Sequence, residues 1–410
     1  MTQAQQPSVS FDGLGIAPRI LEVLDRMRFT HPTPIQHKAI PIAVEGKDVI
    51  GVAQTGTGKT LAFAIPIIQH LSQGKGRCLI LAPTRELALQ IDETFQKIAP
   101  LFDIRTAVII GGASMNMQLK ALSRNPRVLV ATPGRLVDHM NRRTVFLTDV
   151  DILIIDEADR MLDMGFKPQI ERIIKFVPKN RQTMLFSATI PGQVMAIATA
   201  HMKLPVHIEV APSGTAPELI IQELFIVRKE AKKRLLAKLL RQYHGPVLLF
   251  SRTKIGARKI TRLIREMGHN AAEIHSDRSL SQRREALDGF KTGKYRILVA
   301  TDIAARGIDV IGIELVINYD LPDDTEHYVH RIGRTGRAGH EGRAISFATP
   351  EQGGDIRNIE KLIKTALPVS KHPELPQERF VQAPKRTFGP RSYGKRRSGH
   401  HRPHRPRRYR

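Results

Sequence analysis

Cysteine is nearly absent from this sequence: Cys78 is the single one among 410 residues. That excludes a disulfide framework within the chain and fits a reducing compartment. Long apolar runs are missing too. No stretch approaches the roughly 18 residues that a membrane helix needs. Residues 1–10 are polar and lack the charged start and apolar stretch of a leader. The expected setting is therefore cytoplasmic, with no membrane partner. Acids are scarce, 39 Asp and Glu against 64 Lys and Arg, which gives a net charge of +25. From Lys385 to Arg410 there are eleven Lys or Arg and no acid, leaving +14 for the rest. Such a surface points to a polyanionic partner, and to nucleic acid before membrane because no amphipathic anchor is visible. A merely solubilising charge is the alternative.

What the chain does contain is a phosphate-binding signature. Val49-Ile50-Gly51-Val52 runs into Ala53-Gln54-Thr55-Gly56-Thr57-Gly58-Lys59-Thr60. Gly56 and Gly58 let the backbone curl so that successive N–H groups, Thr55 and Thr57 included, point at phosphate oxygens. Lys59 supplies a point charge for the β- and γ-phosphates, and Thr60 offers a hydroxyl to Mg²⁺. Ala53 stands where the strict pattern has glycine. A second apolar run, Ile152-Leu153-Ile154-Ile155, ends in Asp156-Glu157-Ala158-Asp159. Asp156, at the end of a buried strand, is the carboxylate expected to hold the Mg²⁺. A chance glycine-rich turn would not bring both features together, so a nucleoside triphosphate site is expected.

Other apolar runs end in the same manner. Leu79–Ala82 leads into Pro83-Thr84-Arg85-Glu86, Val108–Ile110 into Gly111-Gly112, Val128–Ala131 into Thr132-Pro133-Gly134-Arg135, and Met184–Phe186 into Ser187-Ala188-Thr189. Helix-like stretches such as Glu86–Ile98 and Pro168–Phe176 lie between them. Strands alternating with helices predict a parallel α/β sheet covered on both faces, with ligands at the carboxyl ends of the strands. After Ala211–Pro217, a linker by composition, the pattern restarts. Val247–Phe250, Ile297–Ala300, Leu315–Asn318 and Ala344–Ala348 are further strands, without a second phosphate loop. In His330–Arg337, Arg331, Arg334 and Arg337 recur every third residue, close to one helical face. A solvated basic helix is one reading. Gly333, Gly336 and Gly339 suit close approach to another group instead, such as an arginine reaching a γ-phosphate.

With these motifs in order, the chain resembles the DEAD-box ATP-dependent RNA helicases, most nearly the compact bacterial RhlE-like group, over residues 11–368. The resemblance implies two tandem RecA-like lobes with ATP and RNA bound across the cleft between them. It divides the chain into a first lobe (1–210), a linker (211–219), a second lobe (220–368) and a basic disordered tail (369–410), the tail also being too poor in apolar residues to fold. By position, Phe11 would stack on adenine and Gln36 would read its edge. Glu157 would activate the attacking water. Asp159, Ser187, Thr189 and His330 would link the ATP site to lobe closure. Gly307 and Asp309 would lie at the nucleotide, with Arg334 and Arg337 as arginine fingers. RNA contacts would come from Thr84, Arg85, Gly112, Thr132, Arg135, Arg252, Gln282, Arg283 and Thr301, through groups suited to phosphate and sugar. Arg28 and Ser276 stand where the family has glycine.

Three activities remain open from sequence: an RNA-stimulated ATPase that separates short duplexes, an RNA-annealing protein that uses ATP as a clamp, and a DNA helicase. The intact Lys59, Asp156, Glu157 and Arg337 favour the first. RNA over DNA follows from the resemblance of Asp156–Asp159 and Thr33–Gln36 to RNA-directed members.

Overall fold

Among the described residues, thirteen short strands pair in parallel to make two sheets. The computed structural model describes residues 10–54, 56–74, 76–210, 220–305, 310, 312–336, 341–374 and 376–381. The first sheet comprises β1 (Val49–Val52), β2 (Arg77–Leu81), β3 (Thr106–Ile109), β4 (Val128–Ala131), β5 (Val150–Ile155), β6 (Gln182–Ser187) and β7 (Val206–Glu209). Its spatial order is β3-β4-β2-β5-β6-β1-β7. The second comprises β8 (Ile220–Ile226), β9 (Val247–Phe250), β10 (Ala271–Ile274), β11 (Ile297–Ala300), β12 (Leu315–Asn318) and β13 (Gly342–Ala348), ordered β10-β11-β9-β12-β13-β8. The expected linker, 211–219, lies outside the described residues.

Strand alternation sends each residue to one of two helical layers. In β5, Ile152 and Ile154 join a core with the helices Lys59–Gln73 and Arg85–Ile98, while Leu153 and Ile155 face the helices Pro133–Asn141, Lys167–Ile174 and Gly192–His201. Both faces are thus dry, which is why the central strands read as unbroken apolar runs. Turns at the strand ends are set by local chemistry. Thr84 caps the helix Arg85–Ile98 by accepting from Leu87 N–H at 3.2 Å, and Thr253 caps Lys254–Glu266 by accepting from Gly256 N–H at 3.0 Å.

Arg28 occupies a left-handed conformation, φ 60°, just after the helix Pro18–Arg26. Its N–H donates to the Asp25 carbonyl at 2.8 Å, and Phe29 N–H donates to the Leu24 carbonyl at 3.0 Å. That is a helix-terminating turn whose geometry favours glycine, so the arginine carries strain at this position.

The chain past 368 continues along the second sheet. Leu224 N–H donates to the Pro368 carbonyl at 2.9 Å, and Ser370 N–H donates to the Leu224 carbonyl at 2.8 Å, bridging the edge strand β8. Glu374 pairs with Lys238, and Glu378 with Arg228 at 2.7 Å. The Phe380 ring lies against Gly353, where an added Cβ would come within 3.0 Å of it. Val381 N–H reaches the Pro350 carbonyl at 2.9 Å. The strap removes unpaired backbone groups from a sheet edge. Residues 382–410, where most of the expected tail falls, lie outside the described residues.

Two outcomes follow. Arg28→Gly should raise stability by about 0.5–1 kcal/mol; an unchanged or lower midpoint in denaturant titration would show that the left-handed turn is not strained. Ending the chain at Leu367 should cost the second lobe about 2 kcal/mol, whereas ending it at Val381 should leave melting unaltered. Equal melting of the two truncations would contradict the strap's packing role.

Candidate functional site

Three neighbouring strands, β5, β6 and β1, carry the residues expected at the phosphates at their carboxyl ends. Gly58 follows β1 with φ 92° and is the residue before the helix Lys59–Gln73. A Cβ there would come within 2.4 Å of Gln36 Nε2, so glycine is required for contact as well as for conformation. Gln36 Nε2 donates to the Gly58 carbonyl at 3.0 Å, while its Oε1 accepts from Thr33 N–H at 2.9 Å. Gln36 thereby ties the helix Pro34–Val44 to the phosphate loop. Phe11 is buried in the core of the first lobe. Lys59 donates to the Ala53 carbonyl at 2.9 Å. Ala53 serves through its backbone, which explains why alanine is accepted there. Thr57 Oγ1 donates to the Gln54 carbonyl at 2.7 Å.

The three acids after β5 are held in different ways. Asp156 is 2% exposed and accepts from Glu157 N–H at 2.9 Å. Burial pushes its carboxyl up to about 7, against the pull of Lys59. A buried carboxylate so short of positive charge suits a cation ligand, and Thr60 at the helix start supplies a hydroxyl of matching hardness for Mg²⁺. Glu157 sits in the left-handed region, φ 52° and ψ 54°. Burial would raise its carboxyl, but Arg160, Lys59 and Arg334 together bring it down to about 2. Arg160 pairs with it directly, and both side chains are almost fully buried. Asp159 Oδ2 accepts from Ala188 N–H at 3.1 Å, Thr189 N–H at 2.9 Å and Thr189 Oγ1 at 3.0 Å. Ser187 Oγ accepts from Asp159 N–H at 3.1 Å. The end of β6 is clamped to the end of β5 by one carboxylate.

The second lobe meets these acids. The helix Thr325–Ile332 stops before Arg334, so the arginine repeat does not continue as a helical face. Neither Arg331 nor Arg334 is solvated: they are 2% and 4% exposed. Arg331 makes a two-pronged pair with Asp302, Nη2 to Oδ2 at 2.7 Å, and stacks over Phe250 at 5.0 Å. It is structural. Arg334 donates from Nε to the His330 carbonyl at 3.2 Å and acts electrostatically on Glu157. Burial pushes His330 down to about 4, with Asp159 opposing the shift, so its ring is neutral at pH 7. Thr55, Gly307, Asp309 and Arg337 lie outside the described residues.

Three further strand ends of the first sheet, those of β2, β4 and β3, open on a groove of about 430 Å³ lined by Thr84, Arg85, Thr132, Arg135, Ser276 and Arg283, among others. Gly112 has φ 72°, and a Cβ there would come within 2.1 Å of Arg85 Nη1; the guanidinium lies on its backbone. Burial lowers the Arg85 pKa, and neighbouring Arg283 lowers it further, a sign of crowded positive charge. Arg135 pairs with Asp138 at 3.9 Å. Arg252 pairs with Asp323 at 3.2 Å, and Thr301 lies partly buried after β11. Gln282 Oε1 accepts from Ser279 N–H at 3.0 Å and closes the cap of the helix Leu280–Lys291. Three functional partners escaped the sequence reading. Glu86 pairs with Arg283 across the lobes at 2.9 Å, Asp302 holds Arg331, and Arg160 holds Glu157. Of these, Arg160 alone had a local signal, its i,i+3 spacing from Glu157.

Comparison with known proteins agrees with this geometry. Residues 33–197 match the DEAD/DEAH box helicase family, and residues 231–339 match the helicase conserved C-terminal domain. The chain is 45% identical over 360 residues to the ATP-dependent RNA helicase CshA of Listeria monocytogenes, covering 86% of this chain and 69% of that one. It is 42% identical over 351 residues to the ATP-dependent rRNA helicase RRP3 of Yarrowia lipolytica, covering 85% and 73%. Among solved structures, S. cerevisiae Dbp5 bound to RNA and ADP BeF3 superposes with a TM-score of 0.80 at 33% identity, covering 88% of this chain and 95% of that one. None of these three carries the expected RhlE-like name. The two sheets, the shared cleft and both matched domains place the chain in the DEAD/DEAH box helicase family.

Proposed function

We infer that this chain is an ATP-dependent RNA helicase in which hydrolysis in the cleft is coupled to closure of the lobes 1–210 and 220–368 on RNA. The observation that carries this reading is the division of one sheet edge. The ends of β1, β6 and β5 bear the phosphate-site residues, the ends of β2, β4 and β3 bear the basic groove, and the second lobe reaches both halves through Arg334 and Arg283. Relatives named as ATP-dependent RNA helicases, and a solved relative holding RNA with a nucleotide, support the same assignment. Membership of the RhlE-like group rests on the sequence resemblance alone. No helix among the described residues is long and apolar enough to cross a membrane. The reducing chemistry suggested by a lone buried Cys78 supports a cytoplasmic setting.

Each residue then has a task. Backbone N–H groups of 55–58 and the Lys59 ammonium bind the phosphates of ATP, with Gly307 and Asp309 at the ribose. Phe11 and Gln36 border the base. Thr60 and Asp156 would hold Mg²⁺, which when bound would neutralise charge on the phosphate oxygens. Glu157 takes the proton from water as the water oxygen bonds to the γ-phosphorus and the bond from that phosphorus to the bridging oxygen breaks, releasing ADP. Arg334, with Arg337, offsets the charge that grows on the transferring group. Asp159, gripped by Ser187 and Thr189 and facing His330, transmits lobe position to that site. Thr84, Arg85, Gly112, Thr132, Arg135, Arg252, Gln282, Arg283 and Thr301 offer hydroxyl, backbone and cationic contacts to the RNA backbone. Such contacts hold a strand without reading bases. An annealing clamp would need ATP bound and not split; the complete acid, base and arginine set argues for turnover.

Glu157→Gln should leave ATP binding nearly intact and reduce kcat by about 10²-fold or more, since the shape stays and the base goes. The variant should also hold RNA longer when ATP is present. Steady-state turnover near the wild-type rate would remove Glu157 from the role of base.

Deleting residues 385–410 should weaken RNA binding and flatten its salt dependence. Each phosphate neutralised on a single strand contributes about −0.7 to the slope of log affinity against log salt, so a tail engaging roughly four adds about −3. Phe388, Tyr393 and Tyr409, interleaved with the basic residues, would add stacking. Turnover at saturating RNA should persist. Identical affinity and slope after truncation would assign the tail to solubility or to a protein partner.

A further inference from the structure

We propose that Arg160 is the positioning residue for Glu157, fixing one carboxylate oxygen so that the other is presented to the attacking water. The inference rests on Glu157 being the base and names what aims it.

The geometry of the three neighbouring acids makes the case. Asp156 is fixed by a backbone N–H at 2.9 Å, and Asp159 by three donors from Ala188 and Thr189. Glu157 makes no capping hydrogen bond to the helix Ala158–Asp163 that it precedes. Among the described residues, the hydrogen bond to its carboxylate comes from Arg160 Nη1, which donates to Oε2. A glutamate has three rotatable side-chain bonds, so a direct hydrogen bond to one oxygen is what selects among the carboxylate's directions.

Arg160 is itself well placed to hold it. Its N–H donates to Asp159 Oδ1 at 2.9 Å, and its carbonyl accepts from Met164 N–H at 3.1 Å. The side chain is 5% exposed. Its Nε and Nη2 are buried with no hydrogen-bond partner among the described residues. Leaving guanidinium nitrogens dry and unpaired opposes folding, so a solvated residue would serve stability better. Retaining the arginine is understandable if the value of the pair lies in orientation. A general base must keep its oxygen within hydrogen-bond reach of the proton it removes, and loose second-layer support is enough to lose that.

The test measures RNA-stimulated ATP turnover on the full chain. Arg160→Met should lower kcat about tenfold or more while the KM for ATP stays within roughly twofold, because the ground-state phosphate contacts are untouched. Arg160→Lys, which still offers one charged donor, should recover most of the rate. In the Glu157→Gln background, adding Arg160→Met should leave the residual single-turnover rate unchanged, as expected of a residue acting through Glu157. A wild-type kcat in Arg160→Met overturns the proposal, as does a further loss in the Glu157→Gln background. Should the Met variant fail to fold by melting and RNA binding, Arg160→Gln is read by the same two criteria. Normal turnover in Glu157→Gln alone would instead indict the base assignment.

Discussion

Parallel pairing is the constraint on which the molecule depends. Every strand in both sheets runs the same way as its neighbours, so all carboxyl ends of a sheet open on one edge. Loops leaving that edge are surface segments on a dry scaffold, free to carry polar groups that the core cannot hold. Spatial order then decides which loops meet. β6 lies between β5 and β1, so the Ser187–Thr189 turn must lie between the acids and the phosphate loop. β2 and β4 lie beside each other on the far side of β5, so Thr84, Arg85, Thr132 and Arg135 are gathered into the groove. One edge thus holds two sites side by side without a dedicated connector.

The lobes meet through ionic groups that are largely withdrawn from water. Asp159 is clamped from within its own lobe and faces His330 of the other. Glu86 and Arg283 meet across the groove with both side chains nearly buried. Buried ion pairs contribute little net stability, since desolvation offsets much of the attraction. They do punish misplacement, because a separated partner is left charged and dry. That asymmetry suits a machine with two lobe arrangements. The pairs define the arrangement seen here sharply and add little to its depth.

How far the sequence disclosed this can be traced to particular elements. The central strands and the residues at their ends were legible because both faces are dry and the runs are unbroken. β7, β8 and β10 were not, and each is an edge strand: Val206-His207-Ile208-Glu209 and Ala271-Ala272-Glu273-Ile274 carry charge, and Ile220–Ile226 is interrupted by Gln222 and Glu223. β7 and β8 are partly exposed and their apolar pattern weakens accordingly, whereas β10 is buried throughout and was hidden by its two alanines and Glu273. The glycine departure at Arg28 was visible as an oddity, but its meaning required the φ angle. Gln282 shows the opposite case. Its position suggested a ligand contact, while its side-chain oxygen serves a helix cap, a use that depends on Ser279 three residues earlier. Glu86 and Arg283 lie on different lobes, and no local pattern announces a pair separated by that much chain.

The second lobe shows what remains when the same architecture loses its phosphate loop. β9, β11 and β12 again present polar ends at the carboxyl edge, but Asp302 and Asp320 there bind protein cations, while Ser251 Oγ donates to Asp320 Oδ2 at 3.3 Å: Arg331 reaches Asp302 and the Asp320 carbonyl, and Lys232 reaches Asp320 Oδ1 at 3.1 Å. The edge that in the first lobe awaits an anion is in the second one already neutralised by its own arginine and lysine. A sheet so satisfied has no demand for a nucleotide of its own. What it gains is rigidity under the helix Thr325–Ile332, from whose end Arg334 projects. Arg331, stacked on Phe250 and forked onto Asp302, fixes that helix, and three residues later the chain delivers a second arginine to the acids of the other lobe. The second lobe's own cations thus satisfy its acids, and the helix they hold sends Arg334 to Glu157 of the first lobe.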